Sequence, residues 1–82
     1  MVTPESVKAG IEGGLACEHL EVIGDGQHFQ AVVVSGAFAG KSRVQRHQLV
    51  YAALGVRMRE EIHALSMQTL TPDEWRKAGG QP

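Results

Sequence analysis

The 82-residue chain has one cysteine, few aromatic residues and no long apolar run. A single cysteine excludes an internal disulfide framework and any zinc or iron–sulfur site built only from this chain's thiolates. No apolar stretch reaches the roughly 18 residues that a membrane helix needs, and the N-terminus lacks the basic and apolar segments of a secretory signal. We therefore expect a cytoplasmic protein with no membrane segment, in which Cys17 is a small, half-buried residue.

The residues that are present are typical of one small globular domain. Hydrophobic residues make up 43% of the chain and charged residues 21%, which is enough apolar content for a packed core. The length also suits a single domain. We expect one domain over residues 1–82, with an ordered core at about 3–77 and a flexible tail at 78–82.

Charge is unevenly distributed along the chain, although the formal net charge is only −1. The basic segment, residues 41–59, contains lysine and arginine but no acidic residue, and the segments on either side are net negative. Such a segment is either a binding surface for an anionic partner or a solvated helix face. The charge pattern alone does not separate these two interpretations.

The capping, turn and apolar residues predict the element order αββαβα. Thr3-Pro4 and Thr71-Pro72 each indicate a helix start, as does the capping-box pattern of Ser42-Arg43-Val44-Gln45. Two strands around Gly24-Asp25-Gly26 predict a hairpin, and residues 62–69 predict a third strand. The predicted fold class is α/β (α+β): a single domain with helices packed on one face of a three-stranded sheet.

The predicted core follows from apolar spacing within each element. The second helix is expected to stop or bend at Gly55, beyond which it either ends or continues to Glu61. Its apolar stripe is expected to include Val44 and His47. The predicted core residues are Val7, Ile11, Leu20, Val22, Phe29, Ala31, Val33, Phe38, Leu49, Val50, Ala53, Leu54, Leu65, Met67 and Trp75.

Four histidines, His19, His28, His47 and His63, are the most conspicuous chemical groups. None has the spacing of a metal-binding motif, so each alone is interpreted as a structural or surface histidine. Two imidazoles that the fold brings together would supply half of a four-ligand metal site. The chain has no recognisable nucleophile–base motif, carboxylate pair or phosphate-binding loop. We therefore do not expect an enzyme.

Several short motifs follow one another in a characteristic order, and the pattern covers roughly residues 5–76. They are Gly24-Asp25-Gly26-Gln27-His28-Phe29, Phe38-Ala39-Gly40-Lys41-Ser42, Arg46-His47 with Val50-Tyr51, Ile62-His63-Ala64-Leu65-Ser66 and Thr71-Pro72-Asp73-Glu74-Trp75. As a set they resemble the BolA family, and the GDGQHF form resembles its IbaG-like bacterial branch. The resemblance implies a fold similar to class II KH domains.

The resemblance also implies a partner and a cofactor. Proteins of this family pair with a monothiol glutaredoxin and share a bridging [2Fe–2S] cluster with it and with glutathione, in iron–sulfur trafficking or iron and stress sensing. The resemblance implies His63 as a cluster ligand, with a second ligand from the loop between the first two strands. His28 and Asp25 are the candidates for that second ligand. In the absence of glutaredoxin, we expect the chain to hold no cofactor, and the formation of a homodimer is left as an alternative.

The family is also described as DNA-binding transcription regulators, which gives the alternative function. Lys41, Arg43, Arg46 and His47 lie in the basic segment and are candidate contacts to glutaredoxin or to nucleic-acid phosphates. Two features argue against the nucleic-acid interpretation: the net charge of −1, and the lack of the GxxG loop with which KH domains clamp a nucleic-acid backbone.

Overall fold

The structure, a computed structural model, describes residues 2–62 and 64–79, without the side chains of residues 56–59. His63 and the end of the predicted tail therefore lie outside the described residues. The elements follow the predicted order αββαβα. They are α1 (Pro4–Gly14), β1 (His19–Gly24), β2 (His28–Val34), a short 3-10 helix (Gly36–Phe38), α2 (Arg43–Glu61), β3 (Ala64–Leu70) and α3 (Pro72–Lys77).

The three strands form one mixed sheet with the order β1-β2-β3. β1 and β2 are antiparallel, and His19 lies opposite Val34. β2 and β3 are parallel, from His28 beside Ala64 to Val34 beside Leu70. A parallel pair needs a crossover connection, and α2 supplies it. The predicted third strand, residues 62–69, is shifted towards the C-terminus in the structure, where β3 spans Ala64–Leu70.

The hydrophobic core lies between the sheet and the two longer helices. Its fully buried members include Val7 and Ile11 of α1, Phe29 and Val33 of β2, and Val50 of α2. Phe38 of the 3-10 helix is also fully buried, as expected for a loop anchor. Most of the predicted core is therefore confirmed, and Leu49, Leu65 and Met67 are half-buried side chains packed against it.

Two apolar positions are more exposed than the sequence predicts. Val44, expected on the apolar stripe of α2, is 66% exposed, and the side chain that is largely buried in this first turn is instead that of Arg46. Trp75 is only half-buried, since α3 packs at the end of the sheet and contributes no buried residue. Its ring stacks on His19, with centroids 4.5 Å apart. Two buried apolar residues, Val2 and Val34, were not predicted.

Two glycines explain how α2 fits its surroundings. Gly55 has φ 83° and ψ 162°, which interrupts α2 at the predicted bend before the helix resumes and ends at Glu61. This left-handed φ is costly for any residue with a Cβ. Gly14 lets α1 approach α2 closely, because a Cβ there would lie 2.7 Å from the Cα of Ala53. No helix in residues 2–62 or 64–79 is long and apolar enough to span a membrane.

The central role of Phe29 gives the first prediction. Its side chain is 1% exposed, so Phe29→Ala should lower the free energy of unfolding by about 3–5 kcal/mol through lost burial and a residual cavity. That is a large fraction of the stability of a small domain. Chemical denaturation followed by far-UV circular dichroism measures the change. Ile23→Ala, at a position 63% exposed on the neighbouring strand, is the control. Wild-type stability of Phe29→Ala would contradict this placement of β2.

Candidate functional site

The loop between β1 and β2 presents two of the predicted site residues, Asp25 and His28. Asp25 Oδ1 accepts the backbone N–H groups of Gln27 at 3.0 Å and of His28 at 2.9 Å. The loop is thus closed by an Asx-type turn. Because these hydrogen bonds from His28 and Gln27 favour the ionised carboxylate, they lower the pKa of Asp25.

The His28 ring is an exposed imidazole at this end of the sheet. Its side chain is 66% exposed, and Nδ1 lies 3.9 Å from Asp25 Oδ2. With Ile23 and Gln30, the two residues line a shallow cleft of about 430 Å³. Imidazole nitrogen and carboxylate oxygen are both metal-ligating groups, although Asp25 Oδ1 is already used to hold the turn.

β3 brings the second predicted ligand region to the same loop. The Ala64 N–H donates to Gln27 O at 3.1 Å, and Ala64 pairs with His28 in the parallel register. His63 directly precedes Ala64 in the sequence and lies outside the described residues. Within residues 2–62 and 64–79, no group of three or more histidine, cysteine, aspartate or glutamate side chains is placed to hold a metal ion.

The basic segment contains cations in very different surroundings. Arg46 is only 14% exposed, and its guanidinium binds Glu74 through Nη1 at 2.7 Å and Nη2 at 3.3 Å. Nη1 also donates to Thr69 O at 3.1 Å, so one side chain links α2, β3 and α3. Lys41 and Arg43 are exposed at the start of the same helix.

His47, the other candidate in this segment, is half-buried. Its Nε2 atom is buried, and no hydrogen-bond partner for it exists among the described residues. The surface cations Lys41 and Arg43, together with Arg46 and Glu74, border an open cleft of about 700 Å³ beside the end of β3. An anionic group entering this cleft would meet Lys41 and Arg43 first.

In the sequence, Glu74 is recognisable only as a member of the Thr71-Pro72-Asp73-Glu74-Trp75 motif at the start of α3. Hydrogen bonds from Arg46 and from the backbone of Thr71 lower the pKa of Glu74 from its ordinary 4.5 to about 2. Its partner Arg46 lies 28 positions away in the chain, and no local spacing rule connects residues so distant. Only the fold reveals this pair.

Cys17 fits its predicted role as a small half-buried residue. Its Sγ atom lies 3.4 Å from Leu15 O. Burial, and then the charge of Glu12, raise the pKa of the Cys17 thiol. A raised pKa keeps the sulfur protonated at neutral pH, which disfavours nucleophilic or metal-binding chemistry.

Comparisons with known proteins assign a family to this fold and loop. A family model described as "BolA-like protein" matches residues 3–74. Protein BOLA2 of Arabidopsis thaliana is 46% identical over 81 residues, covering 93% of this chain and 86% of that protein. The acid stress protein IbaG of Escherichia coli K12 is 36% identical over 72 residues, covering 87% of this chain and 86% of that protein.

Some relatives are longer than this chain. The DNA-binding transcriptional regulator BolA of Haemophilus influenzae is 42% identical over 53 residues, covering 65% of this chain and 52% of that protein. BolA-like protein 1 of Homo sapiens is 40% identical over 76 residues, covering 93% of this chain. The chain spans only 53% of the human protein's length.

Solved structures share the whole fold. A bol-like protein from Babesia bovis superposes with a TM-score of 0.85 at 32% identity, covering 96% of this chain and 95% of that one. Yeast Fra2 superposes with a TM-score of 0.76 at 37% identity, covering 93% of this chain and 86% of that one.

The Arg46–Glu74 pair predicts a pH-dependent contribution to stability. Because folding depresses the pKa of Glu74 to about 2, the contribution is present above the unfolded value near 4.5 and is lost as the pH falls towards 2. Glu74→Gln keeps a capping oxygen but removes the charge. We expect it to lower Tm by a few degrees at pH 7 and by progressively less below pH 4.5.

Thermal melting between pH 7 and pH 3 tests this prediction. Asp73→Asn is the matched control, since it removes the neighbouring carboxylate, whose side chain is 77% exposed and pairs with Arg76 in the same helix. A Glu74→Gln effect that does not change with pH would show that the ion pair contributes nothing.

Proposed function

The chain belongs to the BolA-like protein family, and on this basis we propose that it is a non-enzymatic partner of a monothiol glutaredoxin. In this proposal the two proteins and glutathione share a bridging [2Fe–2S] cluster in iron–sulfur trafficking or in iron or stress sensing. His63 is the ligand from this chain, and His28 or Asp25 is the candidate for a second. The IbaG relative, an acid stress protein by name, supports a role in stress.

The observation that carries this proposal is the pairing of Ala64 with His28. This pairing places Ala64, the residue that follows His63 in the sequence, beside the loop that contains His28 and Asp25. Two regions far apart in sequence therefore contribute to one end of the sheet. The exposed His28 ring there can reach a group bound on another protein's surface.

The iron ligands that this chain can offer favour a cluster shared with a partner over a cluster held by this chain alone. The chain has one cysteine, and the raised pKa of the Cys17 thiol makes it a poor ligand. A cluster here would take its thiolates from the partner and from glutathione. Imidazole ligands are neutral, so they reduce the negative charge of a cluster and raise its reduction potential relative to thiolates.

The role of His63 gives a direct spectroscopic prediction. His63→Ala should abolish the spectrum of the mixed complex formed with glutaredoxin, glutathione, iron and sulfide, because the cluster loses its ligand from this chain. His28→Ala should weaken the spectrum less, or leave it unchanged if Asp25 completes the site. His63→Cys should restore a cluster with a lower reduction potential, since a thiolate replaces an imidazole.

Visible absorption and circular dichroism of the reconstituted complex measure these effects. His19→Ala is the control, because it removes an imidazole at the opposite end of β1. Far-UV circular dichroism must first show that every variant is folded. An unchanged cluster spectrum in folded His63→Ala would contradict the proposal.

Nucleic-acid binding is the second candidate function, favoured by the exposed cations Lys41 and Arg43 beside the open cleft. A relative from Haemophilus influenzae is named as a DNA-binding transcriptional regulator. In this chain the guanidinium of Arg46 is already hydrogen-bonded to Glu74 and Thr69. Among the described arginine and lysine side chains of the basic segment, this leaves Lys41 and Arg43 for contacts to phosphates.

Salt dependence tests this second function. If Lys41 and Arg43 contact phosphates, the double variant Lys41→Ala/Arg43→Ala should weaken duplex binding for all sequences. The slope of log affinity against log salt should then fall by about 0.9 for each lost contact. Lys8→Ala/Lys77→Ala removes the same charge outside the basic segment. Equal slopes for the two double variants would exclude this surface as the DNA-binding site.

A further inference from the structure

One end of the outer sheet face, the face turned away from α1 and α2, carries a row of three neighbouring residues. Because Val33 of β2 belongs to the core, Val34 lies on the outer face. The strand pairings place His19 of β1 on one side of Val34 and Leu70 of β3 on the other. Val34 is nevertheless fully buried, so another element covers this end of the outer face.

The element that covers it is α3. This helix begins at Pro72, two residues beyond Leu70 at the end of β3, yet the ring of its Trp75 stacks on His19 of β1. Because β1 and β3 are the two outer strands of the sheet, the path from Pro72 to Trp75 crosses β2 at Val34. The helix therefore forms a cover over an apolar position.

Few contacts hold α3 against the sheet. It is 6 residues long and contributes no fully buried residue. Its contacts include the ion pair of Glu74 with Arg46 and the stack of Trp75 on His19. A helix this short is not stable by itself in water, and elements with little buried surface open most readily. Each of these contacts therefore has a strong effect on how firmly α3 is docked.

The contact between Trp75 and His19 involves a group that can change its charge. The imidazole lies face to face with the indole, with ring centroids 4.5 Å apart and an angle of 19° between the planes. Its Nε2 atom is buried without a hydrogen-bond partner among the described residues and lies 3.4 Å from Glu21 Oε2. A protonated imidazole carries an N–H group on both nitrogens. Its positive charge is attracted by the indole face and by the carboxylate.

The other charged groups around His19 do not oppose a positive ring. On the neighbouring elements they are Glu18 before β1, Lys8 and Glu12 of α1, and Asp73, Glu74, Arg76 and Lys77 of α3. The acidic and basic residues of α3 are equal in number, and Asp73 pairs with Arg76. The groups near β1 and α1 are mostly acidic, and β2 presents the apolar Val34.

We propose that His19 and Trp75 form a pH-sensitive latch, in which protonation of the His19 ring tightens the docking of α3 over the outer face. Histidine gains its charge between about pH 8 and pH 5, so α3 is held most firmly in mild acid. The contribution of the latch is lost as the pH rises through this range, and release of α3 uncovers Val34. This inference does not depend on cluster sharing.

Hydrogen exchange of the α3 amides measures docking directly. The amides of Trp75 and Ala78 donate to Thr71 O and Glu74 O, and they exchange when α3 opens. After correction for the intrinsic effect of pH, their protection should be about fivefold higher at pH 5.5 than at pH 8, as expected for a cation–π contact at a half-exposed site. At both pH values the Arg46–Glu74 pair is intact, because the pKa of Glu74 is about 2. Trp75 is the only tryptophan, so quenching of its emission by the protonated ring adds a local readout.

Substitutions in the latch separate its two parts. His19→Phe keeps a stacked ring that cannot be protonated, and Trp75→Leu keeps an apolar cover without an aromatic face, so both should lose the pH effect. Glu21→Gln should reduce the effect, because the ring then lacks its carboxylate neighbour. Glu18→Gln is the matched control, since it removes a carboxylate one position before His19, and it should retain the full effect.

Two results would overturn the proposal. Equal protection of the α3 amides at pH 5.5 and pH 8 in the wild-type chain would show that docking does not respond to pH. A fivefold change that persists in His19→Phe or in Trp75→Leu, with circular dichroism showing a folded variant, would show that another group produces it.

Discussion

β3 pairs in parallel with β2, from Ala64 beside His28 to Leu70 beside Val34. A parallel pair cannot be joined by a tight turn, so the chain crosses over through α2, whose apolar side then covers the sheet. The same register places Ala64, which follows His63 in the sequence, beside the hairpin loop. It also brings the end of β3 to the start of α2, where Arg46 reaches Thr69. Both candidate sites therefore depend on this one pairing.

The two ends of the sheet have different chemistry. One end presents an exposed imidazole, His28, and the ionised Asp25 in a loop held by backbone hydrogen bonds. At the other end Arg46 and Glu74 form a structural junction, and Trp75 stacks on His19. The candidate cluster ligands and the Arg46–Glu74 junction thus lie at separate ends of the sheet, and variants at one end can serve as controls for the other.

Local sequence patterns predict the elements of this fold better than the contacts between them. Capping residues at Thr3 and Thr71 and the bend at Gly55 act within a few positions, so their consequences can be deduced from neighbouring residues alone. The Arg46–Glu74 pair and the exposure of Val44 depend on how distant elements pack. The same limit applies to the site. Resemblance to a family suggested His63 and His28 as cluster ligands, but it is the parallel register that places Ala64, next to His63 in the sequence, beside His28.

Our central proposal is that His63 of this chain binds the iron of a cluster shared with glutaredoxin. Pulsed electron paramagnetic resonance of the reduced mixed complex tests it most directly, with 15N-histidine incorporated only into this chain. We expect hyperfine coupling from a 15N nucleus bound to iron, and loss of that coupling in His63→Ala. A reduced cluster in the mixed complex with no 15N coupling from this chain would contradict it.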